Sequence, residues 1–382
     1  MSELINTGRE DRDVRWRLLG TASAVALLAS VTATNAAHAE DADHATVWIE
    51  LGGQLERIDG GEASINPPFL TENIDAPFNL VPPASVRAAP RYGFAGEGKL
   101  TIAPKGTDWV FSAAARFGRT NGFKEQHQQT TKQITQTNGY TPANAKYRRF
   151  YRPITSYNHT AIKTSESHTI LDFKAGKDVG LGMFGGKTTS TFSLGVRVAQ
   201  FTTHSETLLR SQPDPYYPRN AKYAAGAHLH RYYAHAQSER NFRGVGPSIS
   251  WEGAAPVIGD PDTGGVTFDW GVNAALLFGR QKASGDHITT GRYFLGSPGQ
   301  LPPPPTNHYV HPGSFSRSRA KIVPNAGGFA GVSARYSHAK FSLGYRGDFF
   351  FGAMDGGLDA RDTRNRSFHG PFATIAIGLG GG

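Results

Sequence analysis

The chain has no cysteine among its 382 residues. Disulfide staples and thiolate metal sites are excluded together, so a fold built from it rests on hydrogen bonding and packing. It also lacks long apolar runs. Beyond the N-terminal segment no stretch reaches the roughly 18 apolar residues that mark a transmembrane helix, and helical periodicity is nearly absent after residue 40. Hydrophobic residues make up only 38% of the chain and the net charge is +9. That average resembles a soluble protein's, but strands with two unlike faces hide their apolar content from any mean.

What is present begins with an export signal. Arg15 and Arg17 precede the apolar run Leu18–Ala33, and Ala37-His38-Ala39 follows as a small-x-small cleavage site. Residues 1–39 read as a secretory signal peptide, leaving 40–382 as one mature domain.

Alternation dominates that domain. In Lys340–Gly357 (KFSLGYRGDFFFGAMDGG), Phe341, Leu343, Tyr345, Phe349 and Phe351 share one row, while Ser342, Arg346 and Asp348 share the other. A period of two is the mark of a strand with unlike faces. The pattern recurs in Thr46–Ile58, Trp109–Thr120, Phe192–Ala199 and Thr267–Gly279. It is looser in Tyr92–Ala103, His168–Gly180, Phe242–Glu252, Val323–Tyr336 and Phe368–Leu379. That gives ten candidate strands. The connections between them alternate between short (104–108, 182–188, 337–340) and longer (59–91, 121–166, 208–239, 284–321). A soluble sandwich has no reason for such alternation, whereas a membrane barrel has short periplasmic turns and long outer loops. The expectation is an all-β, up-and-down antiparallel transmembrane barrel of ten strands, with ten to twelve as the range.

In a barrel the apolar rows face lipid and the polar rows the lumen. The lumen-facing candidates are Glu50, Arg116, Lys174, Arg197, Asp269, Arg346 and Asp348, either bracing the interior or selecting solutes. On this reading Arg197→Ala is tolerated and shifts ion preference, whereas charge on the row of Leu343 or Val196 impairs assembly. Trp48, Trp109, Trp251, Phe268 and Phe351 suit the interfacial aromatic girdles. The long connections are basic and aromatic. Lys146, Arg148, Arg149 and Arg152 (KYRRFYR) and Arg231 (HLHRYYAH) are candidates for binding an anionic surface polymer. Nucleic acid is not an expected partner of an exported barrel.

Four stretches, Leu171–Gly186, Phe192–Phe201, Phe242–Val257 and Gly344–Gly357, resemble the outer-membrane β-barrel family typified by the Legionella major outer membrane protein and its alphaproteobacterial relatives. The resemblance implies an outer-membrane barrel with a porin-like or structural role and carries over no active-site residue. It departs at the C-terminus, where such barrels commonly finish on an aromatic residue and this chain ends IAIGLGGG.

Chemical motifs are few. Gly180, Gly182 and Gly185 fit G-x-G-x-x-G, but a strand-like segment follows where a phosphate site needs a helix, so a glycine-rich turn is expected. His228, His230 and His235 have no carboxylate or cysteine within their stretch to complete a metal set. No acid, base and nucleophile stand together, so neither enzymatic activity nor a cofactor is expected. The leading expectation is porin-like passive passage of small hydrophilic solutes, with a mild preference for anions, through the outer membrane of a Gram-negative bacterium. The alternative is a closed structural or adhesin-type barrel that binds polysaccharide or host molecules through its loops. Expected partners are membrane lipid, lipopolysaccharide, the barrel-assembly machinery and small solutes, with an oligomer left open.

Overall fold

The computed structural model describes residues 46–60, 91–105, 107–137, 149–179, 189–212, 226–260, 264–296, 307–336, 338–356 and 363–379. The signal segment, the glycine motif at 180–185 and the connections 138–148, 213–225 and 297–306 lie outside them. Ten strands follow in chain order: β1 (Thr46–Asp59), β2 (Arg91–Ala103), β3 (Trp109–Thr137), β4 (Arg149–Asp178), β5 (Thr189–Gln212), β6 (Gly226–Asp260), β7 (Gly264–Gly296), β8 (Asn307–Tyr336), β9 (Ala339–Asp355) and β10 (Thr363–Leu379). Each pairs antiparallel with its chain neighbours, and β1 pairs with β10 from Val47↔Leu379 to Asp59↔Ser367. The sheet is a closed barrel, which leaves no unpaired backbone edge around its lower ring. No described helix is long and apolar enough to cross a membrane, which says nothing about strands.

The alternation in the sequence sorts the two faces. Leu343 and Val196 point outward, 53% and 45% exposed, with Leu51, Phe111, Phe173, Leu194, Val272, Ile375 and Ile377 also exposed. Ser342, Asp348, Arg197, Arg116 and Asp269 are buried inward. An apolar belt outside and a polar interior fit a transmembrane barrel. Trp109, Phe268 and Phe351 are exposed on the outer surface, and Trp251 packs there edge-to-face on Trp270. Trp48 does not join that girdle. It shares the inward row with Glu50, and the Arg335 guanidinium lies over its ring at 5.7 Å.

The strands outrun their sequence signal. Most of 121–166, 208–239 and 284–321, which read as loops, is strand, so β3 to β8 span 24–35 residues against 13–17 for β1, β2, β9 and β10. The physical reason is solvent. Above the apolar belt no lipid demands an apolar row, so Gln, Thr, Ser and His fill both faces and the period-two contrast disappears. Arg149 and Arg152 therefore belong to β4 and Arg231 to β6, not to loops, while Lys146 and Arg148 lie outside the described residues.

Two glycine features shape the interior. Gly352 has φ 65°, beside a register shift between Arg364 and Arg366. A left-handed residue there costs little only for glycine. After it Ala353, Met354 and Asp355 are all buried, so the end of β9 bends over the lumen instead of alternating. Gly244 and Gly279 leave room for the Phe242 ring, which an added Cβ would meet at 2.5 and 2.7 Å.

Candidate functional site

The seven sequence candidates meet in the lumen. Glu50, Arg116, Lys174, Arg197, Asp269, Arg346 and Asp348 all line one chamber of about 310 Å³ in the lower barrel. Reading the polar rows missed Glu97, Lys99, Asp172, Glu252, Arg335 and Lys340, which line it too. Their signal was available: Glu97 and Lys99 stand two apart on one row of β2, as do Asp172 and Lys174 on β4.

The charges are paired across the barrel. Arg197 holds Asp172 with two bonds, Nε to Oδ1 at 2.7 Å and Nη2 to Oδ2 at 2.9 Å. Its Nη1 donates to Asn273 at 2.8 Å and to Asn325, and lies 3.4 Å from Asp348. Arg116 reaches the other Asp348 oxygen at 2.5 Å and stands 3.9 Å from Glu56, which in turn meets His168 at 3.2 Å. Lower down, Glu252 receives both Lys99 (3.1 Å) and Lys174 (3.0 Å). Asp269 takes Lys340, Ser333 at 2.5 Å and Thr267 at 2.8 Å. Arg346 pairs with Glu97 while lying over the rings of Phe372 and Phe329. Asp348 is thus shared by Arg116 and Arg197, Arg346 and Asp269 have other partners, and Glu50 lines the chamber.

Pairing on this scale changes what the charges can do. Seven cations and six carboxylates line the chamber, and every cation except Arg335 has a carboxylate partner there. A cation already bound to a buried carboxylate exerts little net pull on a passing anion.

Above the ion pairs lies a layer that sequence reasoning did not foresee. Phe201, Phe242, Phe350 and Phe368 have no exposed surface, and Leu277, Val323, Ala353 and Met354 surround them equally buried. Phe201 on β5 and Phe368 on β10 come from opposite walls, five strands apart around the ring, yet their ring centroids are 5.3 Å apart. Phe350 meets Phe201 at 4.6 Å and an angle of 67°, an edge-to-face contact. Side chains from facing walls therefore touch across the whole lumen. The signal lay on the polar rows: Asp172 is followed inward by Ile170, Glu56 by Ile58, Asp348 by Phe350 and Asn325 by Val323.

A second polar layer covers the aromatic one. Arg366 lies over Phe368 and binds Glu166 at 2.5 Å, while Arg240 donates to the Asp355 carbonyl at 3.0 Å. The Asp355 carboxylate gathers Arg317 and Arg319, and that bond raises the Arg317 pKa. Arg240 and Arg366 are almost wholly buried.

No protein-family model and no curated protein matches this chain. Among solved structures it is similar to a TodX deltaS2S3 mutant monoaromatic hydrocarbon channel. The identity is 10% and the TM-score 0.21, over 88% of this chain and 91% of that one. A likeness that slight carries no argument about chemistry. The fold stands on the pairing of its own strands.

Elsewhere, among the described residues, no group of three or more His, Asp or Glu side chains could hold a metal ion. The side chains of His228 and His230 lie outside the described residues, and His235 pairs with Glu206 at 3.1 Å.

Proposed function

We propose that the chain is an outer-membrane barrel of a Gram-negative envelope, closed across its lumen, that works at the cell surface as a structural or ligand-binding barrel. The observation that carries this reading is the contact of Phe201 with Phe368 and Phe350 between facing walls. Water and ions do not pass a layer packed like a protein core. The ion pairs below and above that layer brace the wall against it. Assembly would use the outer-membrane machinery, and the reading needs neither a cofactor nor catalysis.

The working surface is then the long-strand end. The segments that carry Lys146, Arg148, Arg149, Arg152 and Arg231 belong to the β3–β4 and β5–β6 hairpins, and their basic, aromatic composition suits lipopolysaccharide or a host polysaccharide. The resemblance to the Legionella major outer membrane protein family agrees with a structural role as well as with a porin.

Passive passage of small hydrophilic solutes is the second reading. It is favoured by the polar chamber under the aromatic layer, which would conduct if that layer parted. Single-channel recording of the refolded mature chain in a planar bilayer separates the two. The closed barrel predicts a silent wild type, and steps only when Phe201→Ala and Phe368→Ala are combined. Steady wild-type steps with an anion-biased reversal potential would overturn the closed reading in favour of the porin.

A further inference from the structure

Outside the lumen, the wall of β6 and β7 carries a patch of positive charge that neither reading uses. The outer rows of these strands are apolar up to the register pair of Val245 and Phe278, 49% and 50% exposed. The next outward pair upward sets Arg243 directly opposite Arg280, and the one after it sets Asn241 opposite Lys282. All three cations are exposed on the outer face. Like charges placed opposite each other on a strand pair repel. The neighbouring strands offer no relief, since Gln200 stands beside Arg243 on β5, and Ala320 and Ser318 stand beside Arg280 and Lys282 on β8. None of the three has an ion-pair partner among the described residues. Carboxylates higher on this wall are engaged or distant: Glu239 lies 3.8 Å from His204, Glu206 lies 3.1 Å from His235, and Asp286 stands four residues beyond Lys282.

Height decides what kind of anion fits. The cations occupy the first two outward pairs above the apolar row, the level at which acyl chains give way to headgroups. Opposite residues of a pair start about 5 Å apart, and residues two apart on one strand about 7 Å apart. Three long side chains on that base can reach a single headgroup, and guanidinium forks bind phosphate oxygens in pairs. A phosphomonoester carries a charge of about −1.5 to −2 and three acceptor oxygens. The phosphate of a zwitterionic lipid brings its own cation and leaves the patch unneutralised, and a soluble polymer has no acyl chain to lie on Val245 and Phe278. We propose that Arg243, Arg280 and Lys282 dock a phosphomonoester-bearing lipid of the outer leaflet, lipopolysaccharide, with its phosphates on the cations and its acyl chains along the apolar row beneath.

The site rests on the reading of the chain as an outer-membrane barrel whose tall wall faces outward. It is separate from the hairpin segments that carry Arg149, Arg152 and Arg231, and it is the same whether or not the lumen conducts. Arg119 on β3 supplies an internal control. It too is exposed on the outer face, but its register partners are Phe94 and Ser167, so no second cation stands against it.

The test is native mass spectrometry of the full mature barrel, folded in detergent and titrated with bisphosphorylated lipid A, with the same lipid freed of its phosphates as the matched probe. Wild type is expected to hold lipid A and to prefer it to the dephosphorylated form. Arg243→Gln combined with Arg280→Gln should weaken binding about tenfold or more, since each cation near an anionic lipid surface strengthens binding about fivefold. The preference for phosphate should fall with it, and Arg119→Gln should change neither. Without lipid A the double variant should resist urea as well as wild type or better, because repulsion is relieved. With lipid A, wild type should be the more resistant, a reversal that a merely structural role would not produce. A double variant that binds like wild type, or a wild type indifferent to the phosphates, overturns the site. Equal affinity for a soluble phosphorylated oligosaccharide overturns its assignment to lipid. A wild type that does not fold into lipid vesicles refutes the barrel reading itself.

Discussion

The lower barrel and the tall wall above it use the same pairing and opposite side-chain economies. Below, the strands put an apolar row outside and a more polar row, charged on most of them, inside, and the two rows could not be exchanged. Above, β3 to β8 continue for a dozen residues or more with Gln, Thr, Ser and His on both faces. The comparison teaches that backbone hydrogen bonding alone carries a strand pair onward once closure has set its register. Contrast between faces is needed only where the two sides meet different solvents.

The lower barrel is where substitution should hurt most. Arg197→Ala strips the partner from Asp172 and half the compensation from Asp348, both within the buried interior. Leaving a buried charge unpaired costs about 3–5 kcal/mol, so urea-driven unfolding of the refolded barrel should show a loss of that order. The two-faced pattern by itself marks Arg197 as replaceable. Its 3% exposure and its four partners say otherwise. Survival of Arg197→Ala at wild-type stability would break the bracing account and return the charges to the solute-selecting role.

Next in size is the lipid row. Leu343→Lys puts a charge at the apolar belt and should cost about 2–4 kcal/mol near the bilayer midplane, read as lost heat-modifiable folding into lipid vesicles. Equal tolerance of Lys at Leu343 and at its inward neighbour Ser342 would erase the distinction between the two faces. The smallest effect is expected on the wall. Thr131→Ala removes an exposed hydroxyl contact to Thr155 of 3.1 Å and should change stability by no more than about 0.5 kcal/mol. A loss several times larger would mean that the tall wall is a stabilising element and not an extension carried by the ring below.

The opening pattern of Lys340–Gly357 illustrates how much could be read in advance. Its apolar row is exposed on the outer surface and Ser342, Arg346 and Asp348 face the chamber. The same logic located all ten strands, because alternation is a property of single segments. Partner choice was less legible. Arg346 and Asp348 stand two apart and share a face, yet one reaches Glu97 on β2 and the other joins Arg116 and Arg197 on β3 and β5. Its position near a strand end suits Trp48 to the girdle, but its row with Glu50 turns it inward over Gly378. Row membership outranked position, and the row was visible.

By itself the sequence determined the all-β class, the number of strands and which row of each strand meets lipid, since each follows from a period of two read within one segment. Only the tertiary structure decided that side chains from facing walls meet inside the lumen. Phe201, Phe242, Phe350 and Phe368 are single residues on four different polar rows, unremarkable where they stand in the chain. They become a layer because closure places strands from opposite walls within reach of one another, and the radius of that ring is a property of all ten strands together.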